Sequence, residues 1–302
     1  MADDRIILGL WPIAGITTVG VTQQDAESTI VAAIEGGIRT FDTAFSYGFD
    51  GESDRLLGRS IRPDRESFRV FGKVGQRWTQ SRKRIVDGSP KQLRSDAETS
   101  LQRLGCEYFD TLFFHQPDPE VDLEESASAF ARMREDGLCR TIGICNATHA
   151  QVDAFARVVP IDALQSPLNY VQRFDQAGEI LHHASGGKNV YVFWTLMKGL
   201  LAGAIGREHS FAAGDSRPGY AVFQEPLRSL VHDTLDELKA VADAVDQTLA
   251  QLAVSWAISQ QGVSGALVGA RRPAQIREIV GSRMLDQETL RAIEEATARF
   301  RT

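Results

Sequence analysis

Short apolar, β-branched runs alternate with longer amphipathic stretches along almost the whole chain. That alternation predicts repeated strand and helix units around a parallel sheet, because a sheet covered by helices on both faces needs no polar face of its own. The predicted strands are Ile6 to Leu10, Ile38 to Asp42, Phe68 to Lys73, Thr111 to His115, Thr141 to Cys145, Ile161 to Gln165, Val190 to Phe193 and Ala266 to Gly269. Eight such strands suffice to close a barrel, so the predicted fold is α/β, a (β/α)8 TIM barrel. Helix starts are signalled by Thr22 before Gln23 to Glu35, by Ser89-Pro90 before Lys91 to Leu104, and by Thr148 before His149 to Arg157. Each crossover is long enough for a right-handed parallel connection.

One segment breaks the rhythm. Gly206 to Pro226, rich in Gly, Ser and Pro, is predicted as a long loop after the seventh strand, and loops of that length in a compact domain are usually functional or disordered. Val231 to Ser259 then predicts two helices, with Leu249, Leu252, Ala253, Trp256 and Ala257 on a core face, and Asp286 to Phe300 predicts another. With no repeat, low-complexity tract or linker, residues 1–302 are expected to form one domain with extra peripheral helices.

Length alone, at 302 residues, allows one domain or two. A chain of this size buries about three quarters of its unfolded surface and needs no disulfide or structural metal. Its three cysteines lack CxxC spacing and are expected to be reduced thiols of a cytoplasmic protein. No basic leader followed by an apolar stretch opens the sequence, and no run of 18 apolar residues occurs, so neither signal peptide nor membrane partner is expected. The net charge of −7 argues against a nucleic-acid partner. A phosphorylated ligand must therefore meet a local positive patch. Oligomeric state is left open.

In a barrel of this kind the working residues lie at the C-terminal ends of strands. The second to sixth predicted strands end in Asp42, Lys73, His115, Cys145-Asn146 and Gln165. A single polar strand end commonly reaches only solvent, but five in succession point at one rim. Asp, Lys and His at a shared mouth suit hydrolysis, Schiff-base chemistry or redox chemistry. Tyr47, five residues after Asp42, narrows the choice. A phenol titrates near pH 10, and a lysine ammonium about 4 Å away would favour the phenolate by roughly 4 kcal/mol, or about 3 pKa units. The expectation is a tyrosine able to exchange a proton near neutrality.

The set Asp42, Tyr47, Lys73 and His115, within Thr40-Phe41-Asp42-Thr43-Ala44, Gly72-Lys73-Val74-Gly75 and the strand ending in His115, resembles the catalytic tetrad of the aldo-keto reductases. Ser100-Leu101-Gln102-Arg103-Leu104 and Tyr108-Phe109-Asp110 extend the likeness, which covers nearly the whole chain. The resemblance implies hydride transfer between a nicotinamide and a carbonyl carbon. Tyr47 would protonate the developing alkoxide, Lys73 would lower its pKa, Asp42 would hold Lys73, and His115 would orient the carbonyl oxygen. No metal is required, and no metal-ligand spacing such as HExxH occurs.

No GxGxxG or P-loop is present, which argues against a Rossmann cofactor site and leaves the nicotinamide to the barrel rim. By resemblance, Asn146 and Gln165 would bond the carboxamide, with Cys145 standing where the family has serine, and Phe193, or Trp194 if one residue is skipped, would stack on the ring. Lys198 and Arg217 would neutralise the pyrophosphate. Gly269, Arg271, Arg272, Gln275 and Glu278 follow the eighth strand. Paired arginines at a helix start form an anion site, here implied to grip the 2′-phosphate of NADP(H), with NAD(H) an alternative because Ile279 replaces the usual asparagine. Trp11, Phe45 and Trp78 are candidates for an apolar substrate mouth. Arg77, Arg82, Lys83 and Arg84 on the following loop suit either an anionic substrate or a solvated charge cluster.

The expected activity is NADP(H)-dependent reduction of aldehydes or ketones to alcohols. An NAD(P)+-dependent aldose or sugar dehydrogenase is the nearest alternative. From another class comes a low-turnover nicotinamide-binding sensor or interaction subunit, against which the four intact tetrad residues argue.

Overall fold

The structure is a computed structural model that describes residues 2–15, 19–172 and 182–300. Eight parallel strands close into a barrel in the order β1-β10-β9-β8-β7-β6-β3-β2. These are β1 (Ile6–Gly9), β2 (Thr40–Asp42), β3 (Arg69–Val74), β6 (Phe109–Phe114), β7 (Cys139–Cys145), β8 (Ala163–Pro167), β9 (Asn189–Phe193) and β10 (Val263–Gly269). Each predicted strand corresponds to one of them, with ends displaced by a few residues. Around them pack α1 (Gln23–Glu35), α2 (Glu52–Ile61), α3 (Pro90–Leu104), α4 (Leu123–Glu135), α5 (His149–Val158), α6 (Leu227–Ala244), α7 (Leu249–Ser259), α8 (Pro273–Ile279) and α9 (Gln287–Ala296). Among the described residues no helix is long and apolar enough to cross a membrane.

The caps follow their chemistry. Thr22 and Thr148 each close a reciprocal capping box, with Asp25 and Gln151 respectively. Ser89 occupies the cap position of α3 without capping, because its hydroxyl donates to Asp87 Oδ1 at 2.7 Å. Pro90 starts that helix through its fixed φ instead. The stretch Arg77 to Arg84, expected as a plain loop, folds back as an antiparallel hairpin of β4 (Gln76–Trp78) and β5 (Arg84–Val86). The long segment after β9 carries two single-turn 3₁₀ helices, Arg217–Gly219 and Ala221–Phe223.

Strand periodicity divides the core in two. Ile6, Leu8, Phe41, Val70, Leu112, Phe114, Ile142 and Ile144 face the helices and join one large cluster. The alternate set, Ile7, Phe71, Phe113, Cys145, Ala163 and Leu267 with Tyr191 and Phe193, fills the barrel interior. Both faces are buried, which explains why the strands read as apolar runs rather than clean alternation. Side chains repeat every two residues, so Lys73 follows Phe71, His115 follows Phe113 and Gln165 follows Ala163 into the interior. Asp42 is paired with Phe71 across the sheet and faces the same way. The interior is therefore aromatic and aliphatic in its lower layers and polar in the layer at the C-terminal ends of the strands.

Helix α2 fixes the loop that carries Tyr47. Its Asp54 is fully buried and accepts from Thr43 Oγ1 at 2.7 Å and Ser100 Oγ at 2.6 Å. Thr43 also shares a 2.7 Å hydrogen bond with Ser53, so three buried groups tie the residue after Asp42 to α2 and α3. Gly58 allows the two helices to meet: a Cβ there would lie 2.4 Å from the carbonyl oxygen of Leu104.

Two measurements test this packing. Ala has the better helix propensity by about 1 kcal/mol, yet the facing backbone cannot yield, and overpacking of this kind costs about 1–3 kcal/mol. Gly58→Ala is therefore expected to lower stability to denaturant, and a stabilised variant would refute the contact. Burial pushes the Asp54 carboxyl up to about 6, against the pull of Ser100 and Thr43. Since the folded value exceeds the unfolded one near 3.8, the folded chain binds this proton more tightly. The contribution is fully present below pH about 4 and is lost as pH rises through about 6. Relative to Asp54→Asn, the wild type should lose about 2–3 kcal/mol of unfolding free energy between pH about 4 and about 7.5. The comparison isolates Asp54 from Asp96, which burial also raises to about 6; a difference independent of pH would overturn it.

Candidate active site

Asp42, Tyr47, Lys73 and His115 meet at the polar end of the barrel interior. Lys73 Nζ forms a short, buried ion pair with Asp42 Oδ1 and donates to Tyr47 Oη at 3.2 Å. The second Asp42 oxygen accepts from Gln165 Nε2 at 2.6 Å. Asp42 is 1% exposed and Lys73 3%. Burial disfavours the ammonium, but Asp42, Tyr47 and Cys145 outweigh it and hold the Lys73 pKa above its ordinary value. Burial also raises the Asp42 carboxyl, although Lys73 and Gln165 pull it down.

Tyr47 differs from expectation. The ammonium is closer than the assumed 4 Å, yet burial dominates, and with Asp42 and Cys145 opposing Lys73 the phenol is held above its usual pKa. The neighbouring charge favours the phenolate, but the cost of taking a phenolate out of water exceeds it. The turn places Tyr47 well: its amide donates to Ala44 at 2.9 Å, Ser53 donates to its carbonyl at 3.2 Å, and Trp78 Nε1 donates to the Ser46 carbonyl at 2.8 Å.

The His115 ring lies 5.8 Å from the Tyr47 ring in an edge-on arrangement. Burial, followed by Lys73 and Arg84, lowers its pKa well below the ordinary histidine range, so the imidazole is neutral. Its Nδ1 is buried without a partner among the described residues. Asn146, at the end of β7, donates from Nδ2 to the His115 carbonyl at 2.9 Å. Gln165 is engaged at both ends, by Asp42 and by Cys145 Sγ at 3.5 Å. As arranged, one N–H of its amide supports the ion pair.

Backbone conformation marks the same rim. Asn146, Trp194, Met197 and Lys198 all have positive φ, between 48° and 67°, a left-handed region that non-glycine residues enter seldom. This turn separates the two aromatic candidates at the end of β9. Phe193 belongs to the interior cluster with Tyr191. Trp194 turns away, packs beside Tyr220 at 5.2 Å and donates to Gln172 at 2.9 Å.

The predicted cations fall into two groups. Lys198 Nζ lies 3.4 Å from Ser216 Oγ and 4.7 Å from the Tyr220 ring centre. Arg217 is clasped by Asp215 through Nε at 2.9 and 3.1 Å. Arg271 is half-buried, with its pKa lowered by burial and then by Arg217 and Arg272 against the opposing pull of Asp215, and among the described residues no carboxylate lies within ion-pair distance of it. Arg272 was expected beside it in the anion site. Instead it reaches Asp25 Oδ1 at 2.8 Å and the Gly20 carbonyl at 3.2 Å, because Asp25, at the start of α1, already offers a carboxylate. Gln275 accepts from the Arg271 amide at 2.8 Å, closing the turn after β10, where Gly269 is exposed. The Glu278 carbonyl accepts from Gln251 at 2.8 Å.

On the opposite side, Trp11 packs edge-on to Tyr47 at 5.0 Å, and Arg84 lies 5.7 Å from the Trp11 ring centre. Trp78 meets Phe49 at 5.0 Å. Phe45 does not join them: it packs on the helix-side core, with Arg103 4.9 Å and Arg77 5.8 Å from its ring centre. It follows Ala44 in a turn that aims alternate residues apart. Sequence reasoning missed Asp54, although a legible signal existed: an acidic residue on the same helical stripe as Leu57, Gly58 and Ile61. The acidic partners Asp25 and Asp215, which divide the rim cations, gave no comparable signal.

Comparison with known proteins identifies the family. The profile described as "Aldo/keto reductase family" matches residues 5–298. Aldo-keto reductase YhdN of Bacillus subtilis (strain 168) is 31% identical over 302 aligned residues, covering 97% of this chain and 90% of that protein. The NADH-specific methylglyoxal reductase of Escherichia coli (strain K12) is 27% identical over 92% of this chain and 89% of its own length. The solved structure of the glycerol dehydrogenase AKR11B4 from Gluconobacter oxydans superposes with a TM-score of 0.89 at 32% identity, covering 98% of this chain and 92% of that one. An eight-stranded barrel carrying Asp42, Lys73, Tyr47 and His115 in one cluster thus belongs to a chain that is a member of the aldo/keto reductase family of oxidoreductases.

Proposed function

We propose that this chain reduces aldehydes or ketones to alcohols with NADP(H), using Tyr47 as the proton donor. The observation that carries the proposal is the chain from the buried Asp42–Lys73 pair to the part-buried Tyr47 hydroxyl, with a neutral His115 beside it. A phenol whose pKa is raised keeps its proton at neutral pH, and is the loaded form needed to protonate an alkoxide. Once that proton leaves, Lys73 at 3.2 Å stabilises the phenolate by about 5 kcal/mol at an effective dielectric near 20. Asp42 keeps Lys73 aimed and charged. His115, neutral and able to donate one N–H, orients the carbonyl oxygen toward Tyr47.

The residues present fit a nicotinamide dinucleotide. Arg271 is a half-buried cation with Arg217 and Arg272 as neighbours, offset only in part by Asp215, which is already clasped by Arg217, an arrangement that an anionic group would relieve. Lys198 and Arg217 flank the same side, and Phe193 offers an aromatic face inside the mouth. When bound, the cofactor supplies the hydride from its nicotinamide C4. Asn146 holds the end of β7 against His115, and Gly269 and Gln275 shape the turn that presents Arg271. Trp11 and Trp78 wall the substrate side and exclude water. Arg84 is free of ion pairs among the described residues and adds positive potential there.

A second reading, with NAD(H) preferred, draws on the diversion of Arg272 to Asp25, which leaves Arg271 as the principal side chain for a 2′-phosphate. Quenching of tryptophan fluorescence separates the two. NADPH is expected to saturate at lower concentration than NADH, and Arg271→Ala is expected to weaken NADPH binding about tenfold or more with little effect on NADH. The reverse order in the wild type would establish the NAD reading. Tyr47→Phe is expected to bind NADPH normally and to lose turnover by about 100-fold or more across a panel of aldehydes, ketones and aldoses. Undiminished turnover would remove Tyr47 from the proton-donor role.

A further inference from the structure

Three histidines meet on the outer layer of the barrel, apart from the buried cluster. His149 opens α5, and His182 and His183 lie in the helical residues 182–185 that precede β9. Successive residues on a helix point about 100° apart, and the His149 ring occupies the angle between the other two, with ring centres 4.5 Å from His182 and 5.0 Å from His183. One ligand nitrogen of each lies within 4.8 Å of the others. We propose that His149, His182 and His183 form a binding site for a divalent cation of the zinc type, joining the first turn of α5 to the segment before β9.

The surroundings suit a cation rather than a stacking contact. His149 Nδ1 is buried with no hydrogen-bond partner among the described residues, which a coordinated metal would satisfy and an apolar neighbour would not. His183 is 6% exposed. Asp153, one turn along α5, brings a carboxylate oxygen to 3.7 Å from His149 Nε2, where it can orient the ring through the nitrogen opposite the metal, leaving the fourth position to water. Tetrahedral zinc with Zn–N bonds of about 2.0–2.1 Å needs nitrogens about 3.3 Å apart, so closure asks only for side-chain rotation.

The signal is invisible in the linear sequence because the ligands are split between two elements with no short-range spacing. The site is also independent of hydride transfer. The test is isothermal titration of the tag-free full chain with ZnCl2, together with Co2+ spectroscopy. One ion per chain is expected, with the visible absorption of a four-coordinate cobalt site and a rise in melting temperature on adding zinc. His182→Ala, at an exposed position, and His149→Ala are each expected to weaken binding about 10–100-fold or more, with unchanged metal-free melting. Zinc binding that is absent in the wild type, or equally tight in both variants, would overturn the proposal.

Discussion

Everything at the mouth of the barrel depends on one ion pair that the fold would be better without. Asp42 and Lys73 are almost wholly removed from water, and each charge carries a desolvation cost of several kcal/mol. Direct contact, the Gln165 amide and the Tyr47 hydroxyl recover part of it. Apolar residues of similar size would pack at least as well in a barrel whose next layers already hold Phe71, Phe113 and Leu267. Stability alone therefore does not account for the pair. Its neighbours are arranged around it: Cys145 closes the Gln165 side, and the Thr43, Ser53, Asp54 and Ser100 hydrogen bonds clamp the chain just after Asp42.

The same low-dielectric setting produces three different proton affinities within a few ångströms. Lys73 stays charged because an anion touches it. His115 stays neutral because a cation is near and water is not. Tyr47 stays protonated because burial outweighs the lysine. No single neighbour accounts for all three; position within one electrostatic field does.

The barrel was legible because strand parity and apolar runs are local properties, and each predicted strand was found within a few residues of its place. The four residues at the mouth were legible for the same reason, since a strand's last residue inherits its orientation from the one two places earlier. What stayed hidden needed knowledge of a distant partner. Arg272 reads as half of an arginine pair until Asp25, on a helix at the other end of the sequence, captures it. Phe45 sits beside Tyr47 in sequence, but the turn sends it to Arg103 on α3. The β4–β5 hairpin was disguised by its charge, because Arg and Lys on an exposed two-stranded ribbon look like solvated loop. Tyr47's proton affinity was misjudged because depth of burial is a property of the whole molecule.

The two-residue period of the strands has a consequence for how sequences of this type can drift. Phe71 and Lys73 share the interior with Phe113 and His115, while Gly72, where a Cβ would strike the Phe109 ring at 2.4 Å, faces the helices. Inserting or deleting one residue within β3 would exchange these faces, presenting Lys73 to the helical layer and Gly72 to the mouth. Core and chemistry would fail together, with no intermediate in which one is kept. Length changes are therefore confined to the connections, such as the hairpin after β3 and the long segment after β9, and those are the places where relatives can acquire new substrate preferences without disturbing the barrel.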